Sequence, residues 1–129
     1  MEKVKLELII ESEAGLLNGR VTFHDNLIVD SGKSLSELVE KIKGLLQDFE
    51  GLKREQVEFE YSYDVYSLFE QFDFLKISKV AEYAGINASL LRQYASQVKY
   101  PSAAQAKKIE DTIHHLAEQM MQVSLHAEG

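Results

Sequence analysis

The stretch from Ile77 to Ser96 constrains the fold more than any other part of this 129-residue chain. It reads Ile77-Ser78-Lys79-Val80-Ala81-Glu82-Tyr83-Ala84, then Gly85-Ile86-Asn87, then Ala88-Ser89-Leu90-Leu91-Arg92-Gln93-Tyr94-Ala95-Ser96. Two helices packed across a tight turn need particular residue types at fixed places. A small side chain must sit where the backbones touch, and Ala81 supplies it. The turn must accept a positive φ, which glycine does without a Cβ penalty, and Gly85 stands there. Both helices must turn apolar residues inward, and Val80, Ala84, Ile86, Leu91 and Tyr94 have that spacing. The pattern predicts a helix-turn-helix.

Charge sorts along the chain in the same sense. The net charge is −7, which by itself disfavours a polyanionic partner. Residues 1–74, however, hold 8 basic and 16 acidic side chains, a balance of −8. Between Leu75 and Lys108 there are 6 basic residues and only Glu82 opposing them, a balance of +5. The positive charge therefore lies on the helix-turn-helix, and two modules with different partners account for the division. Apolar residues at 45% and charged residues at 27% are the proportions of a water-soluble globular protein. Without cysteine there is no disulfide framework, thiolate metal site or cysteine nucleophile. The N-terminal run Met1 to Glu13 contains no uninterrupted apolar stretch, so neither a signal peptide nor a membrane span is expected, and a cytoplasmic location follows.

Hydrophobic spacing predicts an α+β chain. Lys3 to Ile10 alternates (Val4, Leu6, Leu8, Ile10) and reads as a strand, with further strands at 19–24 and 27–30. Asp25-Asn26 suits a two-residue hairpin between the latter two. Ser34 and Glu37 form a capping box, and Leu35, Leu38, Val39, Ile42, Leu45, Leu46 and Phe49 follow at helical spacing up to Gly51. Val57, Phe59 and Tyr61 alternate on a fourth strand. Residues 1–63 are thus expected to form a small β-β-β-α-β sheet domain for partner binding, and residues 64–129 an all-α helix-turn-helix domain for DNA binding and dimerisation. The aromatic segment Asp64 to Phe74 is expected to form a short helix with its rings in a core. Ser102 and Gln105 mark a second capping box, opening a long helix with Ile109, Ile113, Leu116, Met120 and Val123 in a stripe. At about 20 residues it would run roughly 30 Å, longer than a small helical domain needs. Ile113, Leu116, Met120 and Val123 are therefore the expected dimer contact, and Val123 to His126 a short terminal strand.

A recognition helix reads base edges in the major groove with its outward side chains. With Leu91 and Tyr94 inward, these are Ala88, Ser89, Arg92, Gln93 and Ser96. Arg92 can bond guanine in bidentate fashion, and Gln93 adenine. Ser78, Lys79, Asn87, Lys99, Tyr100 and Ser102 are placed for phosphates, Asn87 also as a helix cap. So few phosphate contacts per subunit call for a homodimer on a palindromic duplex. The competing reading makes the chain chiefly an interaction protein. Its acidic module would sequester a basic partner, and its helix-turn-helix would serve only dimerisation.

Catalysis finds no foothold: there is no nucleophile motif, glycine-rich phosphate loop or paired metal-ligand motif. Glu110, His114 and Glu118 share a helix face, with Asp111 and His115 beside them. Such sets on long surface helices are ordinarily charged faces, so neither metal nor cofactor is expected.

Phe69 to Val123 resembles the C-terminal half of HicB-type antitoxins, those ending in a phage-repressor-like (XRE-type) helix-turn-helix. Lys76-Ile77-Ser78, Gly85-Ile86-Asn87 and Ser89 to Tyr94 carry the likeness. Pro101-Ser102, Lys107 to Glu110 and Ile113-His114 extend it. The N-terminal element order is similar to the same family, and Ser34 to Leu46 resembles its helix. The resemblance implies a repressor of its own operon whose N-terminal domain engages a small basic ribonuclease toxin, and the −8 balance suits such a partner. The family's proline- and glycine-rich motif between the second and third strands is replaced by Phe23-His24-Asp25-Asn26-Leu27, and the sole proline is Pro101. Gln97 stands where the resemblance leads one to expect glycine at the end of the recognition helix. Either Gln97 takes a left-handed conformation at a cost, or the helix ends differently.

Overall fold

The computed structural model describes residues 2–128. The fold is α+β, a four-stranded mixed sheet and five helices. Contacts divide it into two compact units, Met1–Glu70 and Gln71–Gly129. The divide expected at 63/64 thus lies ahead of the short helix that the contacts group with the first unit.

In the first unit β1 (Val4–Glu13), β2 (Leu16–Phe23), β3 (Asn26–Gly32) and β4 (Val57–Tyr63) lie in the order β3-β2-β1-β4. The β1/β2 and β2/β3 pairs are antiparallel, and β1/β4 is parallel, with Val4 opposite Val57 and Ile10 opposite Tyr63. A parallel neighbour requires a crossover, which α1 (Leu35–Glu50) provides while covering one face of the sheet. The core between them is Leu8, Ile10, Leu17, Val21 and Ile28 from the strands and Leu38, Ile42 and Leu46 from the helix. The Ser34 hydroxyl accepts from the Glu37 amide at 3.1 Å, and Gly51 closes α1 at φ +70°.

Tight turns differ from expectation by one residue. Phe23 pairs with Asn26, so the β2/β3 turn is His24-Asp25, both at positive φ, and not Asp25-Asn26. Register decides this: Phe23 must stay on the core face, and the Asn26 side-chain amide donates to Glu50 of α1 at 2.8 Å. Ala14-Gly15 makes the β1/β2 turn in the same way. Phe49 is a second correction. It lies 75% exposed over β3, the edge strand, beyond which no further strand of the sheet extends to cover it.

The aromatic segment forms α2 (Val65–Gln71), begun by an Asp64 carboxylate that accepts from the Ser67 amide at 2.8 Å. The buried Ser67 hydroxyl accepts from the Ser12 amide at 2.7 Å and ties α2 to β1. Tyr66 and Phe69 are half-buried, but Phe72 and Phe74 follow the helix, and Phe74 is 67% exposed rather than in a core.

The second unit consists of α3 (Ile77–Ala84), α4 (Ala88–Ala95) and α5 (Ala103–Met121). Val80, Ala81, Ile86, Leu91, Tyr94 and Ile109 are its buried apolar residues. Val123 to His126 form no strand and follow α5 as irregular chain. A lone strand has no ladder to complete, so it gains no backbone hydrogen bonds by extending.

Candidate nucleic-acid interface

The turn between α3 and α4 follows from its residues. Gly85 sits at φ +70°, its amide donates to Glu82, and the Ile86 amide donates to the Ala81 carbonyl at 3.0 Å. These reversed hydrogen bonds satisfy the end of α3 and send the chain back across it. Ile86 then plugs the corner, 7% exposed. The Asn87 side-chain oxygen accepts from the amides of Ser89 (2.8 Å) and Leu90 (3.3 Å), so Asn87 is the cap of α4. Its role among the phosphate-binding residues would fall to the remaining amide NH2 group.

With Leu91 fully buried and Tyr94 nearly so, α4 turns Ser89, Arg92 and Ser96 to the exterior. Ala88 and Gln93, also expected outward, are half-buried. For Gln93 the reason lies in how α4 ends. Gln97 adopts φ +66°, and the chain folds back so that the amides of Val98 (2.9 Å) and Lys99 (3.2 Å) both donate to the Gln93 carbonyl. The returning segment flanks Gln93 and narrows its exposure. Lys99 and Tyr100 emerge from this return exposed, next to the Ser102 cap of α5, whose hydroxyl accepts from the Gln105 amide at 3.2 Å.

Ser78 and Lys79 are exposed on the first turn of α3, and the Lys79 ammonium lies 3.4 Å from Glu82. Lys107 is shared by Asp111 (3.1 Å) and Glu110 (3.2 Å), whose hydrogen bonds hold its ammonium above its ordinary pKa. Among the described residues Lys76, Arg92, Lys99 and Lys108 form no ion pair, so their charge faces solvent undivided. In the sequence Lys76 and Lys108 stand out only as part of the segregated basic charge and of the segments that carry the family likeness, with no individual role.

Of the expected dimer residues, Ile113 and Leu116 are half-buried, Met120 is 61% exposed and Val123, beyond the end of α5, is 64% exposed. They adjoin an apolar groove of about 450 Å³ that Phe74, Tyr83, Leu116, Met120 and Val123 help to line. A second hollow of about 270 Å³ adds Phe72, Ile113 and Ala117. Tyr83 and Phe74 were not foreseen there. No three His, Asp or Glu side chains converge as a metal would require among the described residues. No helix among them is long and apolar enough to cross a membrane.

The first unit carries a separate acidic surface. The face of the sheet opposite α1 gathers Glu7, Glu11, Glu13, Glu58 and Glu60, because strand pairing sets Glu7 beside Glu60 and alternation puts the others on the same side. Arg20 pairs with Glu11, and Glu7 accepts from the Ser62 hydroxyl at 2.7 Å. Carboxylates dispersed along the sequence are thus collected on one surface. In comparisons with protein-family models, curated proteins and solved structures, nothing matches this chain.

Proposed function

We propose that the chain is a non-catalytic, sequence-specific DNA-binding regulator, an antitoxin of the HicB type that represses its own operon in the cytoplasm. In this reading α3 and α4 are a helix-turn-helix, and α4 enters the major groove as a homodimer grips a palindromic operator. The supporting observation is the exposed edge of α4, where Ser89, Arg92 and Ser96 stand clear of any ion pair beside Lys99. Arg92 reads guanine, Gln93 adenine through its remaining exposure, and Ser89 either base. Lys76, Lys79, Lys99 and Tyr100 hold phosphates on either side.

A second reading has its own observation behind it. The open, glutamate-rich sheet face suits a small basic toxin. In the alternative, that binding is the whole function and the helical unit only dimerises.

Selection of bound duplexes from a random pool, followed by anisotropy at two salt concentrations, separates the two. The regulator reading expects an enriched palindrome whose preference disappears in Arg92→Ala. Weak, purely salt-sensitive binding without an enriched motif would overturn it and leave the basic protein partner as the function.

A further inference from the structure

Among the described residues four other than glycine hold a positive φ: Ala14, His24, Asp25 and Gln97. The first three lie in the two-residue hairpin turns, whose twist requires that conformation. Gln97 stands instead just past the end of α4, at φ +66°, and its side chain adds nothing to the turn. The main-chain amides of Gln97, Val98 and Lys99 close the return onto Tyr94 and Gln93, and the Ser96 hydroxyl donates to the Gln93 carbonyl at 3.4 Å. Gln97 is exposed, and among the described residues its carboxamide enters no hydrogen bond. Glycine would make the same turn without a Cβ penalty. A strained residue whose polar group goes unused in its own fold points to a contact outside it.

The neighbours of Gln97 indicate an anion. Ser96 precedes it and Lys99 and Tyr100 follow, all exposed, and residues 83–109 contain no aspartate or glutamate. Resting on the regulator reading of α4, we propose that the Gln97 carboxamide donates to a backbone phosphate of the bound duplex. The first residues of a recognition helix meet base edges, whereas the chain that flanks the helix meets the backbone. A donor one residue beyond Ser96 therefore faces phosphate and limits how deeply α4 enters the groove. Because the amide is neutral, its contact adds affinity without releasing a counterion, unlike that of Lys99. The cost of the Cβ at φ +66° is thus retained for a hydrogen bond that forms only on DNA.

Anisotropy of the full chain on selected and scrambled duplexes tests it, with a calorimetric scan of each variant. Gln97→Ala keeps the Cβ and the melting temperature, and should weaken both duplexes about tenfold with the salt dependence unchanged. Gln97→Gly should lose the same affinity while its melting temperature rises, opposite signs that a merely structural residue would not give. Gln97→Lys restores a donor and should recover binding, with the salt dependence steeper by about one unit of slope. Unchanged binding in Gln97→Ala and Gln97→Gly, with selectivity still lost in Arg92→Ala, would overturn the phosphate contact and leave the regulator reading standing. Weakening confined to the selected duplex would overturn it too, by placing the amide on a base edge. A parent chain that selects no motif overturns the regulator reading and the contact with it.

Discussion

Gln97 is the residue at which this chain works against its own backbone. It follows the cap of α4 at φ +66°, where an L-residue with a Cβ is disfavoured by about 1–2 kcal/mol. Three hydrogen bonds keep it there, from the Gln97 amide to Tyr94 (3.2 Å) and from Val98 and Lys99 to Gln93. Gln97→Gly removes the Cβ and retains all three, which are made by the backbone. Against that gain stands the greater freedom of glycine in the unfolded chain, about 0.5–1 kcal/mol. The net expectation is a stabilisation of about 0.5–1 kcal/mol, or about 2–8 °C in the melting temperature of a unit this small. Calorimetry on the full chain measures it, with hydrogen exchange at the Leu91 amide to assign the change to α4. Gly85→Ala is the mirror experiment. Gly85 has φ +70°, and a Cβ built there meets nothing within 4 Å, so its cost is conformational and should be comparable with opposite sign. A neutral or destabilising Gln97→Gly alongside a destabilising Gly85→Ala would refute the argument, since the same dihedral would then carry different costs at two open sites.

Three further outcomes are expected. Leu91→Ala empties a fully buried site and should cost about 2–5 kcal/mol, enough to melt the helical unit while the sheet unit keeps its own transition in a calorimetric scan. Gly32→Ala would place a Cβ 2.8 Å from the Leu38 backbone nitrogen, so α1 must lift from β3, at about 1–3 kcal/mol in denaturant unfolding. If the operator reading holds, Arg92→Ala should weaken the selected duplex about 10- to 100-fold and scrambled DNA little. Lys99→Ala should weaken both alike and flatten the salt dependence by about one unit of slope, measured by anisotropy.

Much of the fold was legible where the chemistry is local. The caps at Ser34, Gly51, Gly85, Asn87 and Ser102 need only a side-chain oxygen or a missing Cβ at one position, and each lies where the residues indicated. The return half of both capping boxes is not formed: the Glu37 carboxylate accepts from the Lys33 amide instead, and the Gln105 side-chain oxygen has no hydrogen-bond partner among the described residues. What escaped depends on partners distant in sequence. The left-handed preference of Asn26 pointed to the wrong turn because it says nothing about which face Phe23 must keep. Helical spacing put Phe49 and Phe74 on apolar faces without revealing where the surface they would cover stops. Gln93 looked outward on a helical wheel, yet the chain returning from Gln97 flanks it. The acidic face was invisible for the same reason: Glu7 and Glu60 become neighbours only through the parallel register of β1 and β4.

That parallel register also imposes an order of events during synthesis. β1 finds its antiparallel neighbour three residues after it ends, at Leu16, but its parallel neighbour begins only at Val57, which is 57 − 13 = 44 residues after Glu13. At a ribosomal pace of about 5–20 residues per second, the β1 edge waits about 2–9 s for the strand that covers it. Once β3 is complete at Gly32, 57 − 32 = 25 residues still separate the chain from Val57, and a sheet of the first three strands would hold Leu6, Leu8 and Ile10 on a β1 whose edge is uncapped. For a nascent chain, the hazard therefore lies at what becomes the inside of the finished sheet, and any chaperone that attends this protein has its work there before residue 63 is made.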